Sequence, residues 1–438
     1  MEKQTKLEKV GCSNEIFYYG FSGKKTTIIY LNVTLKDKIK SDVLQKALEK
    51  TLICYPNLCR KIVVKGENIF YEKNEESPII YHTSDKMYQL GTAETKYYLF
   101  RVMYEENKII LAFHHGLTDG KGMFEVSKTL LYYYYCLQGM QLDTQFKIRT
   151  EHTLSDETEL EESFTKYGNL NEKPLYIYKN KGAFVIPEPY YEDENPTSRR
   201  FRLTCSMSLL LKLAKRNQTT PVPVLAMIIS QSLHSLYNVG QQNITGYIPV
   251  NLRPFFHSKA LNNFSLAISL PYDYRLKEKD TDIQCTVLRG IMDAQIQPEN
   301  FVYRMGKRLE SNEQRENMKV PAQMKQKALV EKLPQAARMQ YTYLLSYIGN
   351  VETLTPLDEK IEKVEYVLPA YLAPLSILAC AKGENMILNF TQNFKTDKII
   401  KKVVQILEEN DVTAAYEDLG EIQTDSFELD AVPSIENA

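Results

Sequence analysis

Two hydrophobic periods alternate along the chain, one typical of strands and one typical of helices. Residues 26–35 (TTIIYLNVTL) are rich in β-branched and aromatic side chains, which predicts a strand. After Ser41, a residue type that suits a helix N-cap, apolar side chains recur at helical spacing until Tyr55-Pro56 ends the run. The spacing therefore predicts a helix between these two points.

The first half continues with further elements of both kinds. Short strands are predicted at 60–65, 68–72, 97–104 and 108–114. The turn-forming residues 105–107 separate the last two strands, which indicates a hairpin. Apolar side chains at helical spacing from Met123 onwards predict a helix that ends near Gly139.

A polar, proline-rich stretch at 187–198 (PEPYYEDENPTS) is typical of a crossing between domains, and the pattern restarts beyond it. Strands are predicted at 199–204, 244–250, 264–270, 342–349, 364–369, 375–381 and 385–391. Helices are predicted at 207–216, at about 222–237, within 281–335 and from Asp397 to Glu409. Two acidic segments without Lys or Arg, 151–163 and 417–438, indicate a solvated face and a frayed tail.

Each half thus contains a strand, a helix and further strands in a similar order. The predicted class is α/β, with two similar-sized lobes at residues 1–190 and 191–438, each a mixed sheet flanked by helices. A chain of 438 residues exceeds one ordinary hydrophobic core. It carries no short-period repeat of the solenoid or propeller kind.

Charge and cysteine content exclude several classes of protein. Lys and Arg number 54 against 55 Asp and Glu, so the chain lacks the positive charge that attracts nucleic acid or anionic lipid. The longest uncharged stretch, 366–381, is too short to span a bilayer, and the opening MEKQTKLEK lacks the apolar core of a secretory signal. Seven scattered cysteines without C-x-x-C indicate reduced thiols in a cytoplasmic protein with no metal framework.

The segment 113–120 (FHHGLTDG) carries most of the chemical information. It holds two of only six histidines, ends an apolar strand and precedes turn formers and a helix. A strand end of this kind is where a rigid scaffold presents catalytic groups, and an imidazole that titrates near neutral pH suits a general base. Gly116 and Gly120 would permit close backbone approach and positive φ, and Asp119 would either orient the ring or lock the loop.

A metal site, a serine-hydrolase triad and a purely structural histidine pair are the alternatives to a catalytic histidine. A metal site needs further ligands, and adjacent residues of a strand point their side chains to opposite faces. A serine-hydrolase triad needs a nucleophile, and the chain has no G-x-S-x-G elbow. A structural pair is the ordinary role of isolated histidines. The combination of two histidines, Asp and Gly at a strand end favours catalysis over all three.

H-H-x-x-x-D-G at a strand end resembles the signature of the chloramphenicol acetyltransferase-like superfamily of CoA-dependent acyltransferases, which includes alcohol acetyltransferases and the condensation domains of nonribosomal peptide synthetases. Four further segments resemble family motifs in the same order: 47–62 (early helix and hP-x-L), 247–254 (YIPVNLRP, P-V-[ND]-L-R), 262–264 (NNF, G-N-F) and 345–349 (LSYIG, S-N-x-G). The chain departs from the family in having Asn262 where Gly is common. It also lacks Trp, and with it the D-F-G-W-G motif of the plant branch.

This resemblance implies a role for individual residues. His115 would be the general base at the centre of a tunnel between the lobes, and His114 would support it. Asp119 would pair with Arg253 to fix the loop, and Gly120 would complete the turn. The alternative is that this Asp and Arg both face solvent. The tunnel lining would include Asn263, Phe264 and Ser346.

The activity implied by the resemblance is acyl transfer from acyl-CoA to the hydroxyl or amine of a small acceptor, without an acyl-enzyme. Acyl-CoA would be a co-substrate; no permanently bound cofactor or metal is expected. The implied protein is a cytoplasmic monomer without a nucleic-acid partner or membrane span. Two alternatives stay open, namely a carrier-protein-dependent condensation enzyme and a non-catalytic homologue that binds acyl-CoA or another ligand.

Overall fold

Strands and helices alternate along the chain in the computed structural model, which describes residues 6–83, 86–142, 148–153, 157–179, 181–190 and 197–435. The strands in these ranges are β1 (Glu8–Lys9), β2 (Ile28–Leu35), β3 (Arg60–Lys65), β4 (Asn68–Lys73), β5 (Ile80–His82), β6 (Phe100–Glu105), β7 (Lys108–His114), β8 (Ser198–Ser206), β9 (Ile244–Asn251), β10 (Ser265–Tyr272), β11 (Tyr343–Asn350), β12 (Ile361–Val367), β13 (Leu375–Lys382), β14 (Asn385–Gln392) and β15 (Ala414–Ile422). The helices are α1 (Cys12–Tyr19), α2 (Ser41–Cys54), α3 (Gly120–Cys136), α4 (Ser163–Tyr167), α5 (Met207–Arg216), α6 (Pro221–Leu236), α7 (Arg253–Phe256), α8 (Thr281–Gln295), α9 (Pro298–Glu316), α10 (Ala322–Gln340) and α11 (Lys398–Glu409). The predicted α/β class is confirmed.

Two mixed sheets form the centres of the two lobes. The first has five strands in the order β12-β2-β7-β6-β5, and the second has seven in the order β10-β9-β11-β13-β14-β8-β15. A small third sheet joins β1, β4 and β3. Strand β12 comes from the second half of the sequence but pairs with β2, where Val364 lies opposite Val33. The first sheet therefore takes its edge strand from the second half.

Local sequence explains the elements that flank the histidine motif. Strands β6 and β7 pair antiparallel as the predicted hairpin, and Glu106 in its turn has a left-handed φ of +44°. Helix α2 begins at Ser41, and Lys40, rather than the predicted Ser41, occupies its N-cap. Helix α3 starts immediately after its N-cap, Asp119, whose side chain accepts a hydrogen bond from the Gly122 amide.

Each lobe has its own hydrophobic core, and the second sheet separates the two. Ile248 of β9 and Leu345 of β11 pack in the second core, whereas their neighbours Tyr247 and Leu344 pack against the first. Alternate strand residues point to opposite faces of a sheet. The face of the second sheet that bears Tyr247 and Leu344 is therefore turned towards the first lobe.

Residues 417–435 of the acidic C-terminal segment are ordered, so the prediction of a frayed tail is wrong for this part of the chain. Residues from Ala414 to Ile422 form β15 on the edge of the second sheet, where Glu417 lies opposite Arg202. The chain then returns to the first lobe, where Phe427 is fully buried. Opposite charges across the β15–β8 pair and apolar burial beyond it give this segment the stabilisation that its acidic composition concealed.

Candidate active site

The histidine pair lies at the junction between β7 and α3. His114 is the last residue of β7, and its amide donates to the Leu99 carbonyl at 2.9 Å. The His115 amide donates to the Thr27 carbonyl at 3.2 Å. Segments adjoining β6 and β2 therefore hold the backbone of both histidines before the chain turns into the helix.

Helix α1 places an aromatic ring against each histidine. Phe17 stacks on His115 with ring centroids 4.1 Å apart and an interplanar angle of 3°. Tyr18 stacks on His114 at 4.6 Å and 6°. Sequence reasoning missed this helix. The signal in the sequence was the aromatic run 17–21 (FYYGF), but aromatic residues are as typical of strands as of a short buried helix.

The His114 side chain is fully buried, and one hydrogen bond within the described residues reaches its ring. Its Nδ1 accepts a hydrogen bond of 3.1 Å from the Gly116 amide. Burial, reinforced by the nearby His115, lowers the pKa of His114 to about 3. The ring is therefore neutral at physiological pH with its proton on Nε2. It stabilises the turn and is unsuited to exchanging protons near pH 7.

His115 is partly exposed, and its ring is also neutral at pH 7. Burial lowers the pKa of His115 below its ordinary value, and a hydrogen bond to its own carbonyl, the Asp119 charge and the Asn263 side chain oppose this in part. Its Nδ1 is buried and bonds no other residue in the described ranges. A ring whose Nδ1 proton is directed at the backbone has a free lone pair on Nε2, the form that a general base requires.

The Asp119 carboxylate joins the histidine loop to the second lobe. Its Oδ1 accepts a hydrogen bond from the Gly122 amide at 3.0 Å, and its Oδ2 accepts one from the Phe264 amide at 3.2 Å. The same Oδ2 lies 2.8 Å from Arg253 Nη1. Burial alone would raise the pKa of Asp119, but Arg253 and the two amides hold it below its usual value. The carboxylate is therefore ionised, and the implied pairing with Arg253 is present.

The Arg253 guanidinium has an acceptor at every nitrogen. Its Nε donates to the Ala260 carbonyl at 2.7 Å and its Nη2 to the Asn262 carbonyl at 2.8 Å. Its Nη1 serves both Asp119 and the Asn251 side chain. Because only 13% of its side chain is exposed, the alternative of a solvent-facing pair is wrong. One planar side chain fixes the loop after α7 and the histidine loop together.

Two more hydrogen bonds link the histidine loop to residues 261–263. Thr118 Oγ1 donates to the Leu261 carbonyl at 2.7 Å. Asn263 Nδ2 donates to the backbone carbonyl of His115. The Asn263 amide in turn donates to Asn14 Oδ1 of α1 at 3.3 Å. Asn263 therefore bridges the loop and α1, a role that its predicted place in the tunnel lining did not include.

The glycines of the motif act through space, and the expected positive φ at Gly116 and Gly120 is absent. A Cβ on Gly116 would lie 2.5 Å from the Tyr18 ring, so this position needs glycine. A Cβ on Gly120 would meet Tyr366 at an ordinary 3.4 Å. The tighter position is Gly122, where a Cβ would overlap Thr118 Oγ1. Sequence reasoning did not single out this glycine.

Two of the predicted lining residues have different surroundings. The Phe264 ring is fully buried in the second core against Tyr167 and Phe256, so its predicted place in the tunnel lining is wrong, and only its backbone amide contacts the site, through Asp119. Ser346 lies on β11 and is partly exposed. By strand alternation it shares a face with Leu344, which packs towards the first lobe. No hydrogen bond within the described residues joins Ser346 to His115.

Membrane-spanning and metal-binding features are absent from the described ranges. None of the helices there combines the length and apolar content needed to cross a bilayer. Nor do three His, Cys, Asp or Glu side chains in those ranges gather as a metal site. All seven cysteines are free thiols, of which five are buried. Burial raises the pKa of Cys205 and of Cys380 to about 12, so both are inert thiols.

Comparison with solved structures defines the fold around this site. The trichothecene 15-O-acetyltransferase TRI3 of Fusarium sporotrichioides matches 92% of this chain and 94% of its own, with a TM-score of 0.59 and 13% identity. The condensation domain of the monacolin K polyketide synthase MokA matches 92% and 97%, with a TM-score of 0.59 and 11% identity. TRI101 of F. graminearum, complexed with coenzyme A and T-2 mycotoxin, matches 94% and 99%, with a TM-score of 0.57 and 11% identity.

Sequence comparison alone finds no such relation. No family model matches the chain, and no curated protein matches it by sequence. The chain has the two-lobed fold shared by these acetyltransferases and condensation domains over nearly its whole length. The fold therefore agrees with the chloramphenicol acetyltransferase-like architecture that the H-H-x-x-x-D-G motif indicated.

Proposed function

We propose that the protein is an acyltransferase that moves an acyl group from acyl-CoA to the hydroxyl or amine of a small acceptor. The observation that carries the proposal is the state of His115, a neutral and partly exposed imidazole whose loop is held from both lobes. Likeness to acetyltransferases, one of them complexed with coenzyme A, supports the same class of reaction.

In this reaction His115 is the general base. Its Nε2 lone pair removes the proton of the acceptor hydroxyl or amine as that oxygen or nitrogen attacks the thioester carbonyl. The tetrahedral oxyanion collapses, the carbon–sulfur bond breaks, and the imidazolium returns its proton to the departing CoA thiolate. Each proton removed is thus restored, and no acyl-enzyme forms. Holding both substrates beside one ring supplies much of the acceleration.

The substrates would meet on the face of the second sheet that is turned to the first lobe. Tyr247, Pro249 and Ser346 are partly exposed on β9 and β11. Strand alternation puts all three on the side of Leu344, which packs towards the first lobe. Acyl-CoA would enter this space from one side and the acceptor from the other, and acyl-CoA acts as a co-substrate, with no resident cofactor.

A carrier-protein thioester is the second candidate donor, because the condensation domain of a polyketide synthase has the same fold at 0.59 TM-score. The test measures thiol release from acetyl-CoA and longer acyl-CoAs against a panel of alcohols and amines. Acceptor-dependent release of CoA supports the proposal. Release only from acyl-carrier protein identifies a condensation enzyme, and acyl-CoA binding without release from either donor identifies a non-catalytic homologue.

A further inference from the structure

The C-terminal segment of the chain crosses back to the first lobe and binds it along its length. We call residues 424–435 the C-terminal strap. The Phe427 amide and carbonyl both bond Gly23, at 3.2 and 2.9 Å. The Ile435 amide donates to the Val64 carbonyl at 2.8 Å. Backbone hydrogen bonds near both ends therefore attach the strap to the lobe that carries the histidines.

A buried ion pair holds the beginning of the strap. Asp425 and Arg101 have 0% and 1% of their side chains exposed, and Arg101 Nη2 lies 2.8 Å from Asp425 Oδ1. The guanidinium also lies 5.0 Å from the ring centroid of Tyr81 and 4.5 Å from that of Tyr88. Opposite charge and two aromatic faces offset part of the desolvation of the two groups, and burial still raises the pKa of Asp425. The strap is thereby fixed two residues before Phe427.

The Phe427 ring packs directly against His114 and Tyr18. Its centroid lies 4.5 Å from that of His114 and 5.5 Å from that of Tyr18. Tyr18 stacks on His114 as well, so the imidazole is in contact with both aromatic rings. Phe427 is fully buried, which leaves the His114 ring little freedom to rotate.

Hydrogen bonds at Gly116 link the position of His114 to that of His115. His114 Nδ1 accepts the Gly116 amide at 3.1 Å, and the Gly116 carbonyl accepts a hydrogen bond from Tyr71 at 2.9 Å. The Tyr71 hydroxyl lies 3.1 Å from that of Tyr18. The amide of Gly116 is thus bound by His114, which Phe427 contacts directly. The carbonyl of Gly116 is bound by Tyr71, which Phe427 reaches through Tyr18.

We propose that the C-terminal strap positions the catalytic histidine, and that Phe427 is a positioning residue that acts through His114. Asp425 holds the strap in place by its pair with Arg101. The inference rests on the proposed role of His115 as general base, since it explains how that ring is oriented. It adds to the motif a requirement supplied by a segment about 300 residues further along the chain.

The test compares Phe427→Ala and Phe427→Leu with Leu429→Ala, a matched control. Leu429 is also fully buried in the strap, and its replacement by Ala removes a comparable side-chain volume. This replacement does not alter Phe427, so the Phe427 ring still packs on His114. Phe427→Ala is expected to lower kcat for acyl-CoA-dependent thiol release about 10- to 100-fold, with KM nearly unchanged. Phe427→Leu restores part of kcat, and Leu429→Ala lowers Tm but lowers kcat much less than Phe427→Ala does.

Titration of the histidines by NMR provides a readout independent of turnover, and six histidines make the spectrum tractable. In Phe427→Ala the pKa of His114 is expected to rise from about 3 towards its ordinary value, because water reaches the ring. If the pKa of His114 rises in Phe427→Ala but the wild-type protein has no transferase activity, the positioning role of Phe427 stands and the proposed function is refuted. Wild-type kcat and His114 titration in a folded Phe427→Ala or Phe427→Leu protein overturn the inference.

Discussion

Asp119 and Arg253 connect the two lobes by an ion pair of 2.8 Å, and backbone groups bind both side chains. The carboxylate accepts two amide hydrogen bonds, and the guanidinium donates to two carbonyls. Because both side chains are largely shielded from solvent, the pair contributes little net stability, and its main effect is to fix the geometry of the histidine loop. Its consequence is a histidine loop whose position is set jointly by both lobes.

Replacing Asp119 with Asn leaves Arg253 nearly buried without a counter-charge. We expect a loss of about 3 kcal/mol in the free energy of unfolding at pH 7. The folded-state pKa of Asp119 lies below its unfolded value, so this stabilisation is present above about pH 4 and is lost as pH falls through the folded pKa. Urea unfolding at several pH values checks this.

The Glu310→Gln variant is the control for Asp119→Asn, since Glu310 pairs with Lys307 at the surface with 41% and 49% of the side chains exposed. We expect no measurable change in stability there, because an ion pair between exposed side chains contributes little. An Asp119→Asn protein as stable as the control at pH 7 would contradict the account of this pair.

Removing the Asn263 side chain separates positioning from stability. Asn263→Ala removes the donor to the His115 carbonyl, so we expect kcat to fall about 10- to 100-fold while KM changes little. The Asn263 side chain raises the pKa of His115, so its loss shifts the acidic limb of the kcat profile to lower pH. Because burial lowers the pKa of His115, we expect that limb to lie below the ordinary imidazole pKa in the wild type as well. Wild-type kcat with an unshifted profile in Asn263→Ala would contradict this positioning role of Asn263.

Gly122 is required by space. In Gly122→Ala the new Cβ would overlap Thr118 Oγ1 and lie 3.2 Å from the Leu261 carbonyl, which are partners in a cross-lobe hydrogen bond. We expect a destabilisation of about 1–3 kcal/mol. Gly290→Ala in α8 has open space and is expected to stabilise by about 0.5–1 kcal/mol. Thermal unfolding of both variants decides; equal effects would mean that the space at Gly122 is not restricted.

The Asp425–Arg101 pair makes the strap part of the folding unit. Asp425→Asn leaves a buried guanidinium without its counter-charge and is expected to cost about 3–5 kcal/mol. The variant should also become susceptible to limited proteolysis near the C-terminus, which mass spectrometry of the fragments detects. Wild-type Tm together with unchanged proteolysis would be incompatible with a strap held by this pair.

Periodic elements of the fold were predictable because their side chains face one core. The hairpin β6–β7 and the helices α5 and α6 agree with the predicted ranges within a few residues. Helix α1 was missed because its eight residues carry aromatics on more than one side. The strap was missed because its acidic composition concealed Asp425, whose partner Arg101 is 324 positions earlier.

The site was predictable as far as the motif extends. The segment 113–120 located the histidines, and the family resemblance paired Asp119 with Arg253. The side-chain environment of Phe264 and the space at Gly122 depend on tertiary packing between distant segments, which no local pattern encodes. Positive φ at Gly116 was a wrong expectation because glycine was needed there for contact with Tyr18.

His115 is the residue that we propose as the general base of acyl transfer. The most direct test is kcat for CoA release from acyl-CoA with an accepted alcohol or amine in His115→Ala, compared with the exposed-histidine control His152→Ala. We expect a loss of at least about 100-fold for His115→Ala and none for the control, with both proteins folded. Full acceptor-dependent release by His115→Ala would contradict it.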